Sequence, residues 1–236
     1  MSYALLVLAA GKGKRMNSDV KKQYMKLAGK PLIYRTLKNI SDCIDLFNRV
    51  VLLVPAGDEE FVRGEILTQL SQKVTRQLEL AAGGHSRRNT VKRGLDYLEG
   101  ETDYVIVHDG ARPFVGSTLM NRVVQEVEEK KAVVVGTPVT DTIKRIDDEG
   151  LVEETVDRDE IVSVQTPQAF SSDLLERAHR EVSQEADISD DAMLVEGIGE
   201  EVFVVEGSFS NIKITNPRDL ILAEALIERG GEMGEG

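Results

Sequence analysis

Four short apolar runs set the rhythm of the chain, at residues 3–9, 50–54, 104–107 and 132–135. They are rich in β-branched residues and nearly unbroken by polar positions. That pattern predicts parallel strands covered on both faces. Amphipathic stretches lie between them. Leu119, Val123 and Val127 recur every four residues, with Glu126, Glu128 and Glu129 on other faces, which predicts a helix. Near the end, Asn216-Pro217 offers a cap and a first-turn proline, Asp219 falls in the first turn, and residues 220–227 continue as a helix. Strand–helix alternation of this kind predicts an α/β fold: a three-layer, Rossmann-like, mostly parallel, doubly wound sheet.

One segment breaks the rhythm. Residues 139–156 read VTDTIKRIDDEGLVEETV, two strand-like pieces around a DDEG turn signal. This predicts a β-hairpin that leaves the main sheet. Two readings stand: an edge hairpin packed on its own domain, or a dimerisation arm that carries residues into a neighbour's site.

Composition narrows the classes. The chain has 236 residues, with 41 Asp and Glu against 29 Lys and Arg, a formal net charge of −12. An acidic surface repels nucleic acid and anionic membrane, so neither is expected as a partner. One cysteine, Cys43, allows no internal disulfide, and its apolar surroundings predict a buried, inert thiol. Three histidines and one cysteine do not make a common zinc site. No run approaches the ~20 apolar residues of a membrane span, and the apolar start has no basic region before it. A cytoplasmic protein is the expectation. Residues 230–236, nearly all glycine and glutamate, read as a flexible tail.

Against this acidic background, residues 8–24, LAAGKGKRMNSDVKKQY, gather five basic side chains directly after the first apolar run. Ligands of open α/β sheets bind beyond the carboxyl ends of strands. Gly11 and Gly13 allow a tight bend whose N–H groups face phosphate oxygens, and Arg15, Lys21 and Lys22 add charge. The loop is neither a full dinucleotide fingerprint, having Met16 at the third glycine, nor a P-loop, since Lys12 lacks the lead-in and the Ser/Thr. Taken alone, it reads equally as a solvated surface turn.

The wider pattern resolves that choice. LAAGKGKRM, KKQY and LAGKPLI resemble the loop, lysine and GKPLI elements of nucleotidyltransferases of the sugar-nucleotide pyrophosphorylase kind. Further along stand GGHSRRNT, VHDGARPF, TPVTDTIKR, TVDRDE, QTPQAF, DISDDAML and SNIKIT. In this order they resemble the 2-C-methyl-D-erythritol 4-phosphate cytidylyltransferase family of the non-mevalonate isoprenoid pathway. Three positions depart from the usual pattern: Thr90 stands for serine, Gly110 for alanine and Ser189 for threonine.

The resemblance implies transfer of CMP from CTP to methylerythritol 4-phosphate, with release of pyrophosphate. It implies one nucleotidyltransferase domain over residues 1–229, with the arm at about 139–160. It also implies roles. The backbone of Ala9, Ala10, Gly11 and Gly13 wraps the triphosphate, and Arg15, Lys22 and Lys213 steady the transition state. Gly84, His85 and Thr90 read cytosine. Asp109 meets Mg²⁺, with Gly110 and a ribose contact beside it. Arg112, Arg158, Thr142, Thr166 and Ser189 meet the acceptor, Thr142 and Arg158 acting across a homodimer. A lysine between Ile212 and Ile214 would point opposite to both if that segment is a strand. His108 reads as a packed strand residue. Asp190 and Asp191 read as helix-capping acids at Ala192, with a second metal pair as the alternative.

The chemistry supports such a cation set. A phosphomonoester is mostly dianionic at pH 7 and needs no catalytic base. The barrier is electrostatic, and preorganised cations lower it. Competing readings are a ribitol 5-phosphate cytidylyltransferase, a non-catalytic nucleotide-binding regulator, and a dehydrogenase. The last is disfavoured because Pro55-Ala56-Gly57, with no acidic residue, follows the second strand.

Overall fold

The computed structural model describes residues 1–11, 13–16 and 20–229; the proposed tail at 230–236 and Lys12 lie outside them. In chain order the elements are β1 (Tyr3–Leu8), β2 (Lys26–Leu27), β3 (Lys30–Pro31), α1 (Leu32–Ile40), β4 (Arg49–Val54), α2 (Glu59–Phe61), α3 (Gln72–Gln77), β5 (Leu78–Ala82) and α4 (Arg87–Leu98). Then follow β6 (Tyr104–Asp109), α5 (Ser117–Lys130), β7 (Ala132–Pro138), β8 (Ile143–Ile146), β9 (Val152–Val156), β10 (Val162–Ser171), α6 (Ser172–Glu181), α7 (Ala192–Glu196), β11 (Phe203–Glu206) and α8 (Pro217–Glu228).

The described residues build a seven-stranded sheet in the order β11-β7-β10-β6-β1-β4-β5. All neighbours are parallel except β10, which runs antiparallel between β7 and β6. The fold is thus the Rossmann-like α/β class that the alternation predicts. The unbroken apolar runs have a direct cause. In β1, Leu5 and Val7 pack with Ile33 and Leu37 of α1 and Val123 and Val127 of α5. Ala4 and Leu6 point the other way, onto Leu95 of α4, Leu175 of α6 and Leu194 of α7. All but the end residues of such a strand are buried, so no polar alternation survives. Among the described residues, no helix is long and apolar enough to cross a membrane.

A smaller cluster joins Met16, Leu27, Leu32, Ala111, Ile214 and Ala223. It ties the loop after β1 to the loop after β6 and to the segment before α8. Met16, the residue in place of a third glycine, is 3% exposed there. The helix after Asn216 has the full capping box: the Asn216 side chain accepts from Asp219 N–H, and the Asp219 carboxylate accepts from Asn216 N–H. Cys43 is buried, its thiol pushed up to about 12 by burial, as an inert thiol should be.

The hairpin forms where DDEG predicts it. Strands β8 and β9 make their own two-stranded antiparallel sheet, separate from the main one. Gly150 closes the turn at φ +85°, and Asp147 Oδ1 accepts from the N–H groups of Glu149 and Leu151. Ile146, Leu151 and Val152 on this hairpin are 59%, 69% and 53% exposed.

Candidate active site

A cavity of about 320 Å³ opens at the carboxyl ends of β1 and β6. Ala9, Ala10, Gly11, Gly13, Arg15 and Lys22 line one side. Gly84, His85, Arg87 and Thr90 line another, and Asp109, Gly110 and Lys213 complete it. The residues expected to hold the nucleotide, drawn from four separate parts of the chain, therefore meet in one place.

Glycines make the approaches possible. Gly13 has φ +62°, and a Cβ there would stand 2.6 Å from Lys22 Cβ, so the loop can lie against Lys22 only without a side chain. A Cβ on Gly83 would fall 2.3 Å from Ala10 Cβ, which brings the loop after β5 against the loop after β1.

Lys22 enters the cavity because its neighbour is held outside. Lys21 Nζ lies 2.7 Å from both Asp58 oxygens, and Tyr24 donates its hydroxyl to Asp58 at 2.8 Å. Burial, together with the positive charges of Lys213 and Arg15, pulls Lys22 down to about 8. Three cations thus crowd one cavity, with Asp109 the carboxylate that lines it beside them. Such a cluster is poised for a polyanionic ligand.

Lys213 reaches the same place from the far end of the chain. Its segment is irregular rather than a strand. The segment is pinned where Ile214 N–H donates to Ala111 C=O and Ile214 is fully buried. Lys213 Nζ sits 2.5 Å from Asp109 Oδ2. Asp109 is 7% exposed. Burial alone would raise its carboxyl, but Arg87 and Lys213 outweigh that and hold it well below the usual carboxylate range.

Behind Asp109 runs a hydrogen-bonded chain. Asp109 N–H donates to Thr166 Oγ1 at 3.0 Å. Thr166 Oγ1 lies 3.2 Å from His108 Nδ1, and His108 Nε2 lies 3.1 Å from Arg112 C=O. A carbonyl only accepts, so Nε2 carries the proton and Thr166 donates to Nδ1. Burial drives His108 down to about 4, which keeps it neutral. It is a packed strand residue, and no base.

The acceptor set is less complete. Thr166 spends its hydroxyl on Asp109 and His108. Arg112 is 8% exposed, with Nη1 on Asn211 C=O at 2.7 Å and Nε buried without a partner. The Ser189 hydroxyl donates to Met193 Sδ at 3.0 Å. Thr142 and Arg158 are exposed on and beside the hairpin, Arg158 donating to Thr140 C=O at 2.8 Å. None of these five lines the cavity. In the base segment, the Thr90 hydroxyl accepts from Gly84 N–H at 3.0 Å and donates to Ser86 C=O at 2.8 Å, so it shapes the 84–86 turn.

Sequence reasoning missed Arg87. Its guanidinium lines the cavity, 2.7 Å from Asp191 and 3.5 Å from Asp109. The signal was a pair of adjacent arginines whose fates differ: Arg88 turns the other way and caps the end of α6, donating to Val182 and Ser183 carbonyls at 2.6 Å. The paired acids also split. Asp190 accepts from Met193 N–H at 3.1 Å and does cap α7. Asp191 does not; it is 1% exposed and pairs with Arg87. Among the described residues, no three His, Cys, Asp or Glu side chains group as a metal site.

Comparison with known proteins bears on this geometry. A model of the IspD family, described as 2-C-methyl-D-erythritol 4-phosphate cytidylyltransferase, matches residues 3–229. A relative of that name from Alkaliphilus metalliredigens is 42% identical over 226 residues, covering 95% of this chain and 92% of the relative. One from Clostridium botulinum is 41% identical, covering 95% and 98%. Among solved structures, 4-diphosphocytidyl-2C-methyl-D-erythritol synthase from Anaerococcus prevotii superposes with TM-score 0.83 at 30% identity, covering 97% of this chain and 99% of that one. The 2-C-methyl-D-erythritol 4-phosphate cytidylyltransferase of Thermus thermophilus gives TM-score 0.75 at 32% identity, covering 97% and 100%.

Proposed function

Since the chain belongs to the 2-C-methyl-D-erythritol 4-phosphate cytidylyltransferase family, we propose a division of labour in its site for the family's reaction. The enzyme transfers CMP from CTP to 2-C-methyl-D-erythritol 4-phosphate, giving 4-diphosphocytidyl-2-C-methyl-D-erythritol and pyrophosphate, in the non-mevalonate isoprenoid pathway. A phosphate oxygen of the acceptor forms the new bond to the α-phosphorus. The bond from that phosphorus to the β-phosphate bridging oxygen breaks, and its electron pair leaves with pyrophosphate.

The observation that carries the assignment is the meeting of Lys22, Lys213 and Asp109 in one cavity beside Gly84 and His85. Arg15, Lys22 and Lys213 hold the triphosphate and the charge that grows on the leaving group. The backbone of residues 9–13 wraps the phosphates, and Gly84, His85 and the Thr90-braced turn face the base. In the nucleotide complex, Lys213 leaves Asp109 for the phosphates. The freed carboxylate fits Mg²⁺, which takes one or two carboxylates plus phosphate oxygens and needs no all-protein cage. Mg²⁺, when bound, neutralises phosphate charge; Asp109 is the residue that would hold it.

Arg112, Thr166 and Ser189 meet the acceptor from the same chain, while Thr142 and Arg158 act across a homodimer, in which the hairpin of one subunit completes the site of the other. Support comes from exposure. Val162, Val164 and Val204 are 40%, 43% and 49% exposed, and two of them pack about Gly136, where an added Cβ would lie 2.9 Å from Val204 and 3.1 Å from Val162. With the bare apolar side chains of the hairpin, this makes a surface suited to a second copy. A cytoplasmic location accords with the lone reduced cysteine and with the supply of CTP.

The direct test is pyrophosphate release with CTP and Mg²⁺, comparing methylerythritol 4-phosphate and ribitol 5-phosphate at equal concentration. Turnover with the first alone is expected. Turnover with ribitol 5-phosphate alone would keep the donor assignment and overturn the acceptor.

A further inference from the structure

Arg87 has two buried carboxylates to serve and one guanidinium to serve them with. Nη1 takes Asp191 Oδ2 at 2.7 Å, while Nε stands 3.5 Å from Asp109 Oδ1. The first is a short ion pair, and the second is a hydrogen bond at the long limit. Nη2 is buried and has no partner. Asp191 has little else to balance it. His179 Nε2 is 3.9 Å from Oδ1, and burial drives that imidazole down to about 4, so it is neutral. Strand β10 fixes the turn that presents Asp191: Gln168 Nε2 donates to Asp190 Oδ2 at 2.7 Å, and Gln168 Oε1 accepts from Asp191 N–H at 3.3 Å.

We propose that Asp191 is a positioning residue, which draws the Arg87 guanidinium away from Asp109 and so keeps that carboxylate open to a divalent cation. The inference rests on the reading of Asp109 as the carboxylate that meets Mg²⁺. Its logic is a competition. Once Lys213 turns to the phosphates, Arg87 is, among the described residues, the cation left in ion-pair contact with Asp109. A guanidinium in full contact would occupy the oxygens that the metal needs. A buried carboxylate behind Arg87 prevents this at the cost of a second buried charge, which the same guanidinium neutralises.

The experiment uses Mn²⁺ as the probe, titrated into the full-length protein with saturating CTP and no acceptor. Loss of the free-ion paramagnetic resonance signal is read against CTP alone. Asp191→Asn keeps shape and removes the charge, and should weaken Mn²⁺ binding by about 10–100-fold, the usual effect of an outer-shell lesion. The double variant Arg87→Gln/Asp191→Asn should recover most of that loss, because the competitor is gone. Arg87→Lys, too short to span both carboxylates, should bind Mn²⁺ at least as tightly as the parent and guards against poor folding of the first pair.

Unchanged Mn²⁺ affinity in Asp191→Asn, or a double variant no better than the single, would overturn the competition while leaving the metal reading intact. Failure of the parent complex to bind Mn²⁺ beyond CTP alone would overturn the metal reading and this inference with it.

Discussion

The donor and acceptor halves of the site are built in contrasting ways. On the donor side, four stretches of one chain converge on a formed cavity, and its charges are already set: three cations facing inward and Asp109 pinned from both sides. On the acceptor side, Thr166 and Ser189 are occupied with internal partners, while Thr142 and Arg158 stand exposed around a hairpin with bare apolar side chains. On the proposed reading, the contrast means that one chain preorganises the nucleotide and that acceptor binding is coupled to assembly.

The largest expected effect breaks the donor half. Lys22→Ala or Lys213→Ala should lower kcat by about 10²–10³, in the range of oxyanion-hole deletions. Steady-state pyrophosphate release measures it, and the acceptor KM should barely move. Next comes the acceptor half. Arg158→Ala should raise the acceptor KM by about 10–100-fold, the worth of a hydrogen bond to a charged group, with CTP affinity by calorimetry unchanged. Val164→Asp, on the exposed sheet face, should give a monomer by light scattering that still binds CTP and has lost turnover.

A smaller effect sharpens the donor half. Lys22 must be charged to act, and its proton leaves near pH 8 in the free enzyme. The rate at low CTP should therefore fall above about pH 8, and the limb should move alkaline at saturating CTP, whose charge holds the proton. Lys22→Arg should abolish the limb. The same shift bears on stability. Between about 8 and the ordinary lysine value of 10.5, the unfolded chain keeps a proton that the folded one has lost, so stability from this group rises with pH across that window. The smallest effect is on aim. Asp58→Asn loosens Lys21, and because Lys21 is half exposed, kcat should drop only a few-fold.

Much of this was open to reading in the sequence, for a physical reason. Strands β1, β4, β6 and β7 are covered on both faces and so appear as unbroken apolar runs. Strands β5, β10 and β11 did not stand out. β5 and β11 lie at the edges of the sheet, and β10 changes register between Gln165 and Gln168 and is exposed over its first residues. The cavity residues near glycines could be found because close backbone approach demands glycine. Arg87 and Asp191 could not. Arg87 stands beside Arg88 and Asp191 beside Asp190, and such pairs do not say which member turns inward or which partner it meets more than a hundred residues away. Lys213 was recognisable only by resemblance, since its segment has no strand periodicity to reveal it.

The central claim is that a donor half from one chain works with a hairpin from another. Mixing two defective proteins tests it most directly. Lys22→Ala has an intact hairpin and a disabled donor half; Arg158→Ala has the reverse. After subunit exchange at equal amounts, half of the dimers pair one of each, and each such dimer holds one site with both parts sound. With acceptor held well below the parent KM, where the raised KM of Arg158→Ala leaves its own sites nearly silent, the account predicts that turnover recovers to about a quarter of the parent value. If the hairpin serves its own chain, no site in the mixture is whole, and activity stays at the average of the two defective proteins.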